Sequence, residues 1–325
     1  MKVSIDAVHR HIVQMLAPVF ADPAPTRIAD YFVWAEMSGV TTQGVVKLTG
    51  PKALQLLEVE HELRVERDTP VSRLLNAGNN PSIYVTQVAV EYALEKAGAT
   101  GFGAVGFHNA QSSNGALAYY AELIADADHV GIVAARSPAA ASAFGGIDPV
   151  FGTNPVSFSF PSDDGPVVFD MATTAMTMFG LIMADSDGRS VGPDIGLDHD
   201  GRPTTDPGEI IRGSLRAFDR SYKGSGLGMV VEMLAGPLVG ADFVRVPGHW
   251  GNLVVALSPA LFVDTDRFKR DCAELVRRVR AARRAGGVET IRLPGDRAHS
   301  AYRVAKASGV IDVPDRLLDD IGFIL

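Results

Sequence analysis

Apolar residues share one helical face at the start of the chain, where Val8, Ile12 and Met15 follow Ser4, a residue able to cap a helix. Thr26 can cap a second helix over ADYFVWAEMSG (29–39), which Gly39 would stop. From Pro81 to Ala97 the run SIYVTQVAVEYALEKAG repeats apolar residues at helical spacing up to Gly98, predicting a third helix. The first 70 or so residues therefore read as helical. Beyond residue 100 the texture changes to short β-branched runs: GAVGF, VGIVAA, NPVSFSFP and PVVFDMA are joined by Gly, Pro, Ser and Asp turns and predict strands of one sheet.

Residues 224–240, GSGLGMVVEMLAGPLVG, are apolar nearly all round, the pattern of a helix buried against that sheet. NLVVALSP and VETIRLPG return as predicted strands around a long helix from about Thr265 to Ala285, and AHSAYRVAKASG and PDRLLDDIGFIL close the chain as helices. This order predicts an α+β fold with mixed strands. A helical domain made by both termini, residues 1–74 plus 290–325, would surround an inserted mixed-sheet domain, residues 75–289.

Composition narrows the class. With 46% hydrophobic residues among 325, the chain can bury the core of one large or two ordinary domains. No apolar run reaches the roughly 18 residues a membrane helix needs, so neither a span nor export is expected. A net charge of −8 spread along the chain argues against a nucleic-acid partner. RRVRAARRAGG (277–287) reads as a solvated helix face, because no aromatic residues interleave with its arginines. Cys272 is the single cysteine and reads as helix packing; with no intrachain disulfide possible, a reducing cytoplasm is the expected setting. No His/Asp/Glu grouping has metal-ligand spacing, so no catalytic metal is expected.

One stretch tests a specific chemistry. In TGFGAVGFHNAQSSNG (100–115), Gly101, Gly103 and Gly106 have the G-x-G-x-x-G spacing of a dinucleotide loop. Such a loop follows a strand and opens a helix whose first amides take the pyrophosphate. Here EYALEKAGA precedes the glycines as a helix, GAVGF is itself the strand, and the next helix, GALAYYAELIADA, comes after HNAQSSN. The glycines read as a helix stop and a close-packed strand, and the fold as non-Rossmann. Ser112, Ser113 or Asn114 can cap the next helix, whose first amides are equally suited to an anion.

Four other stretches are more specific: FGGIDPVFGTNPVSFSFP (144–161), VVFDMATT (167–174), DGRPTTDP (200–207) and SYKGSGLGMVVEMLAGPLVGA (221–241). Together they resemble the malate/L-lactate dehydrogenase type 2 family, which includes sulfolactate, ureidoglycolate and diketogulonate oxidoreductases and cyclic ketimine reductases. The resemblance continues through GNLVVALSPALF (251–262) and GGVETIRLPGDR (286–297), and so spans nearly the whole chain. It implies an NADH- or NADPH-dependent homodimer of sulfolactate-dehydrogenase-like fold, with its site in a cleft between the helical domain and the mixed-sheet cofactor domain. Position by position, it implies cofactor contacts from Ser137, from Asp170, Met171, Ala172, Thr173 and Thr174, from Tyr222 and Lys223, and from Gly295, Asp296 and Arg297. The residue types agree: small residues let amides approach a pyrophosphate, and Lys223 is a point charge suited to phosphate.

The same resemblance marks departures at the chemical centre. Family members carry Ser-His-Gly and then an arginine near the end of the second helix, the histidine being the proposed proton donor. Here AEMSGVTTQGVVKL (35–48) sets Thr42, Gln43, Gly44 and Lys47 at those places. A second family histidine, the proposed acid/base in some members, falls at Ser113, with Asn114 where an aromatic usually stands. Hydride delivery to a ketone builds an alkoxide, so a positioned acid is worth roughly 100-fold to 10,000-fold, and glutamine cannot donate a proton near neutral pH. An iminium already carries its proton. Gln43 and Ser113 as hydrogen-bond donors, with Lys47 pairing a carboxylate, therefore suit a C=N bond beside the carboxyl of a small metabolite better than a C=O bond. Family ketimine reductases nonetheless generally keep the histidine.

His108, at the end of a predicted strand, is either a relocated acid or a satisfied structural histidine. His249 is a weaker candidate, and Glu36, on the helix leading to Gln43, reads as a surface charge. Two further readings follow. One is a conventional 2-hydroxyacid dehydrogenase that protonates through His108 or an ordered water; the other is a homodimeric binding protein that kept the nucleotide pocket and lost catalysis.

Overall fold

The computed structural model describes residues 1–49, 53–58, 62–241 and 250–323. From the N-terminus the order is β1 (Lys2–Ser4), α1 (Ile5–Leu16), α2 (Ala24–Met37), β2 (Arg64–Asp68), β3 (Ser72–Asn76), α3 (Ser82–Thr100), β4 (Phe102–Ala110), α4 (Ala118–Asp126) and β5 (Val130–Arg136). The middle adds β6 (Ala141–Ser142), β7 (Pro149–Phe151), β8 (Val156–Phe160), β9 (Val167–Met171), α5 (Met178–Ser186), β10 (Gly196–Leu197), β11 (Pro203–Thr204), α6 (Pro207–Arg212), β12 (Ser214–Leu215) and α7 (Tyr222–Ala235). Then come β13 (Trp250–Leu257), α8 (Thr265–Ala281), α9 (Asp296–Ser308), β14 (Val310–Asp312) and α10 (Asp315–Asp320).

Among the described residues the main sheet has seven strands in the order β2-β3-β4-β13-β5-β8-β9. β3 and β4 pair in parallel and its other neighbours are antiparallel, so the fold is α+β and not a doubly wound nucleotide fold. All four strand runs expected of one sheet, now β4, β5, β8 and β9, lie in it. A smaller sheet has the order β11-β10-β12-β6-β7, and the two ends of the chain meet in the antiparallel β1–β14 ladder, where Lys2 faces Asp312. One hydrophobic core joins α1, α2, α3 and α4 to the main sheet, with separate clusters under α7 and between α5 and α6.

Several local expectations change. The sheet begins at Arg64, inside the stretch read as helical; β2 is an exposed edge strand, so its sequence RVERD carries no buried period. Ser4 caps α1 as expected, but α2 starts at Ala24 with a proline in its first turn, so Thr26 lies inside the helix and does not cap it. α3 runs through Gly98 and stops at Gly101, whose φ of +84° suits glycine. VETIRLPG forms no strand, and α8 ends at Ala281 instead of Ala285. α7 is not buried all round either: Gly224, Gly228, Val231 and Ala235 face inward, while Met229, Val230 and Met233 are exposed.

The glycines of β4 explain how helices close on both faces of the sheet. Gly103 and Gly106 are an odd and an even position and point to opposite sides. A Cβ on Gly103 would lie 1.9 Å from the Ala93 carbonyl oxygen of α3, and one on Gly106 would lie 2.6 Å from Val239 Cγ1. Gly251 of β13 plays the same part for α7, where a Cβ would lie 2.0 Å from the Ala235 carbonyl oxygen. Gly103→Ala is therefore expected to destabilise the fold by about 1–3 kcal/mol, because backbone must move. Gly98→Ala, whose Cβ meets nothing within 4 Å, is expected to stabilise it by about 0.5–1 kcal/mol. Urea unfolding of the two variants checks this pair, and shifts of the same sign would refute it.

Candidate functional site

The start of α4 is held by a residue far away in sequence. None of Ser112, Ser113 and Asn114 caps it: Ser112 has a φ of +68°, Ser113 Oγ accepts from Gly115 N at 3.1 Å, and Asn114 Nδ2 donates to Thr86 Oγ1 at 2.7 Å. Instead Asp170, at the end of β9, accepts from Ala118 N at 3.0 Å. Burial pushes this carboxyl up to about 6, and the backbone donors Ala118 and Leu117 hold it from rising further. A carboxylate is favoured at a helix N-terminus, so Asp170 ties the Ser113 loop to the 170–174 run. Tyr31 of α2 pins the same loop, its hydroxyl accepting from Ala116 N at 2.7 Å.

The 170–174 run in turn meets β5 and α7. Thr173 donates its N–H to the Thr153 carbonyl at 3.0 Å, and its hydroxyl donates to the same oxygen at 3.2 Å. Ser137 Oγ accepts from Thr153 N at 3.1 Å, and Thr174 donates its hydroxyl to the Met176 carbonyl at 2.7 Å. Gly228 of α7 closes over Thr173, with a Cβ position 3.3 Å from Oγ1. The start of α7, capped by Ser221, presents exposed Tyr222 and Lys223. Thus Ser137, Asp170 through Thr174, Tyr222 and Lys223 belong to one contiguous region. Gly295 approaches β9 from the C-terminal segment, with a Cβ position 3.2 Å from the Val168 carbonyl oxygen. Asp296 is held there by Arg280 at 2.7 Å and by Leu293 N at 2.8 Å, while Arg297 is exposed.

Gln43 and Lys47 lie in two short 3₁₀ turns after α2, Thr41–Gln43 and Val45–Leu48. Gln43 Oε1 is buried without a hydrogen-bond partner among the described residues. Lys47 Nζ sits 3.9 Å from the centroid of the Phe179 ring, on the helix that follows the 170–174 run. Burial lowers its ammonium to about 8, and among the described residues no carboxylate pairs with it.

Glu36 is not the surface charge its type suggested. It is 8% exposed, its Oε1 accepts from Val45 N at 2.7 Å, and its Oε2 is buried without a partner. Burial pushes its carboxyl up to about 7 against the lowering effect of the Val45 N–H. The clue lies in its neighbours: Phe32, Val33, Trp34, Ala35 and Met37 are all buried, so this turn of α2 has no solvent face. Glu36 also lines a cavity of about 740 Å³, together with Arg292, Asp296 and Arg297.

His108 has a different place. Its Nε2 is 2.9 Å from Glu66 Oε2 on β2, an arrangement that satisfies the ring and holds the Glu66 carboxyl below its ordinary range. Among the described residues no hydrogen bond joins His108 to Gln43, Lys47 or Ser113. His249 lies outside the described residues. Among the described residues no cluster of three or more His, Cys, Asp or Glu is placed to hold a metal, and no helix is long and apolar enough to cross a membrane.

The buried Glu36 carboxyl has a measurable signature. Its folded value of about 7 lies above the ordinary 4.5, so the folded state binds the extra proton and stability falls as pH rises from about 4.5 to about 7, then levels. Glu36→Gln removes that loss. The stability of the variant relative to wild type is expected to rise by as much as about 3 kcal/mol across this window. Urea unfolding of both proteins at several pH values reads it, and a difference independent of pH would refute the burial of a titrating carboxyl.

Comparison with known proteins agrees with this architecture. The sequence profile of the malate/L-lactate dehydrogenase family matches residues 3–322. The L-sulfolactate dehydrogenase of Methanothermobacter thermautotrophicus is 32% identical over 308 residues, covering 90% of this chain and 87% of its own. A Δ1-pyrroline-2-carboxylate/Δ1-piperideine-2-carboxylate reductase of Pseudomonas putida is 33% identical over 233 residues, covering 68% of this chain and 66% of its own. The crystal structure of Δ1-piperideine-2-carboxylate reductase from Pseudomonas syringae pvar. tomato superposes with a TM-score of 0.85 at 25% identity, covering 99% of this chain and 98% of that one. With a matching profile over almost its whole length, the chain belongs to the malate/L-lactate dehydrogenase family and is an oxidoreductase.

Proposed function

We propose that this protein uses NADH or NADPH to reduce a C=N bond, and more slowly a C=O bond, beside the carboxylate of a small metabolite. The observation that carries the reading is Lys47: a desolvated cation with no protein carboxylate against it among the described residues, four positions from a neutral amide where relatives place an acid. Its charge is best compensated by a substrate anion. The pairing of His108 with Glu66 weighs against a hydroxyacid dehydrogenase that protonates through that ring.

The residues present suit a dinucleotide. Ser137, Thr173 and Thr174 use their side chains on neighbouring backbone and offer a close-packed wall, and Lys223 stands exposed at the start of α7 for a phosphate. Met171, Ala172 and Tyr222 are next to that wall in the chain, and Gly295, packed against Val168 of β9, would bring Asp296 and Arg297 toward the cofactor. When bound, the dihydronicotinamide supplies hydride. Lys47 binds the substrate carboxylate. Gln43 Oε1, buried without a partner among the described residues, would accept from the iminium N–H, while Gln43 Nε2 and the Ser113 hydroxyl, whose Oγ already accepts from Gly115 N, would donate to a ketone oxygen. An iminium becomes a neutral amine with no proton supplied, which is why an amide serves in place of an imidazole.

A homodimer is part of this reading. Met229, Val230 and Met233 on α7 and Leu238 just beyond it are 44%, 47%, 53% and 64% exposed, an apolar stripe that a second copy would cover. Substrate and cofactor would meet between the Gln43–Lys47 segment, which reaches Phe179, and the 170–174 run.

Fluorescence titration with NADH and NADPH is expected to show saturable binding of at least one, and binding of neither would end the reading. Following nicotinamide absorbance, pyrroline-2-carboxylate and piperideine-2-carboxylate are expected to turn over on the order of 100-fold faster than pyruvate or oxaloacetate, the value of the absent acid. Gln43→His is expected to raise keto-acid reduction. Faster keto acids, or no gain from that substitution, would sink the C=N assignment. The KM for substrate is expected to rise as pH passes about 8 and Lys47 loses its proton, and Lys47→Met to raise KM roughly 10- to 100-fold at neutral pH. An unchanged KM would remove Lys47 from the site.

A further inference from the structure

Gln43 and Lys47 occupy backbone that does little to hold itself in place. Within the two 3₁₀ turns the hydrogen bonds are local: Gln43 N to Val40 O, Gly44 N to Thr41 O and Lys47 N to Gly44 O. Such turns have poor hydrogen-bond geometry and seldom persist without help. Val45, Val46 and Leu48 anchor the second turn by burial, and Gln55 Nε2 donates to the Leu48 carbonyl at 2.9 Å, but none of these contacts bonds the backbone at Gly44 and Val45, where the two turns join. Among the described residues the side-chain hydrogen bond from α2 to this segment is that of Glu36 to Val45 N, 2.7 Å long and buried.

The contact is also a steric fit. A Cβ on Gly44 would lie 2.1 Å from Glu36 Oε1 and 2.7 Å from its Cδ. The carboxyl packed against Gly44 leaves no room there for a side chain. The carboxyl occupies the space where a side chain would be, and from there it reaches the next amide. Gln43 on one side and Lys47 on the other are displayed from this joint.

We propose that Glu36 is the positioning residue of the substrate pocket, its carboxyl seated on Gly44 and bonded to Val45 N so as to orient Gln43 and Lys47. This rests on the reading of Lys47 as the carboxylate anchor, and the test separates the two. Glu36→Ala, Gly44→Ala, the double variant and Glu36→Gln are compared by two measurements. One is the rate at which an acylating reagent modifies Lys47, read by peptide mass spectrometry; an amine titrating near 8 reacts readily at neutral pH. The other is the KM and kcat of whichever imino or keto acid is turned over.

The expected result is that Glu36→Ala and Gly44→Ala each change Lys47 reactivity by about fivefold or more and raise KM more than they lower kcat. The double variant is expected to be no worse than the worse single one, since each substitution destroys the same contact and removing Glu36 makes room for the new methyl. Glu36→Gln, which keeps the acceptor and the shape, is expected to stay within about twofold of wild type in both readings. Additive losses in the double variant, unchanged Lys47 reactivity in both single variants, or a glutamine variant as impaired as alanine would each overturn the proposal. Altered Lys47 reactivity with unchanged KM supports the positioning role and refutes Lys47 as the carboxylate anchor instead.

Discussion

The carboxylate of Asp170 on the first amides of α4 is the joint on which the site depends. It links the last residues of β9, where the main sheet ends, to the loop that carries Ser113. A helix N-terminus leaves N–H groups without partners and a partial positive charge, so the carboxylate satisfies both at once. The 170–174 run and the Ser113 loop are 52 residues apart at this bond, yet neither can shift without breaking it. Tyr31 adds a second hold on the same loop from α2, the helix that also carries Glu36. Sheet, loop and second helix thus reach the site as one unit.

The charges near that unit are kept under tension. Glu36 and Lys47 are both taken out of water, and each is shifted toward its neutral form, to about 7 and about 8. Each has one compensating partner: a backbone N–H for the carboxyl, an aromatic face for the ammonium. A ring face compensates a desolvated cation by only about 2 kcal/mol, less than desolvation costs. On the Lys47 side, a cation left partly uncompensated in this way would favour an anion beside it.

Much of the architecture was legible in the sequence because it rests on period and punctuation. The runs that form β4, β5, β8 and β9 are short, apolar and bounded by turn residues, and the glycines of TGFGAVGFHNAQSSNG include a helix stop and two points of close packing. What stayed hidden depended on distant partners. The cap of α4 comes from Asp170, not from the serines beside it, and nothing local distinguishes the two. Glu36 was misread by residue type, although the apolar residues flanking it left no route to solvent. Strand β2 was missed because an exposed edge strand need show no apolar alternation, and α3 continued past Gly98 because its real stop, with positive φ, stands three residues later. The contact of His108 with Glu66, 42 residues away, is likewise one that no local pattern signals.

The β1–β14 ladder has a mechanical side. Lys2 faces Asp312 and Ser4 faces Val310, so the outer ends of both strands lie together. Tension applied between Met1 and the segment after Val313 therefore loads the ladder at that shared end, where its pairs separate one after another instead of shearing together. The Met1 ammonium, paired with Asp312 and Asp315, stands at that end and bears the load first. A pulling machine that gripped both ends would meet a zipper there, one whose pairs draw Val3 and Ile311 out of the core before α1 and α2 are loaded.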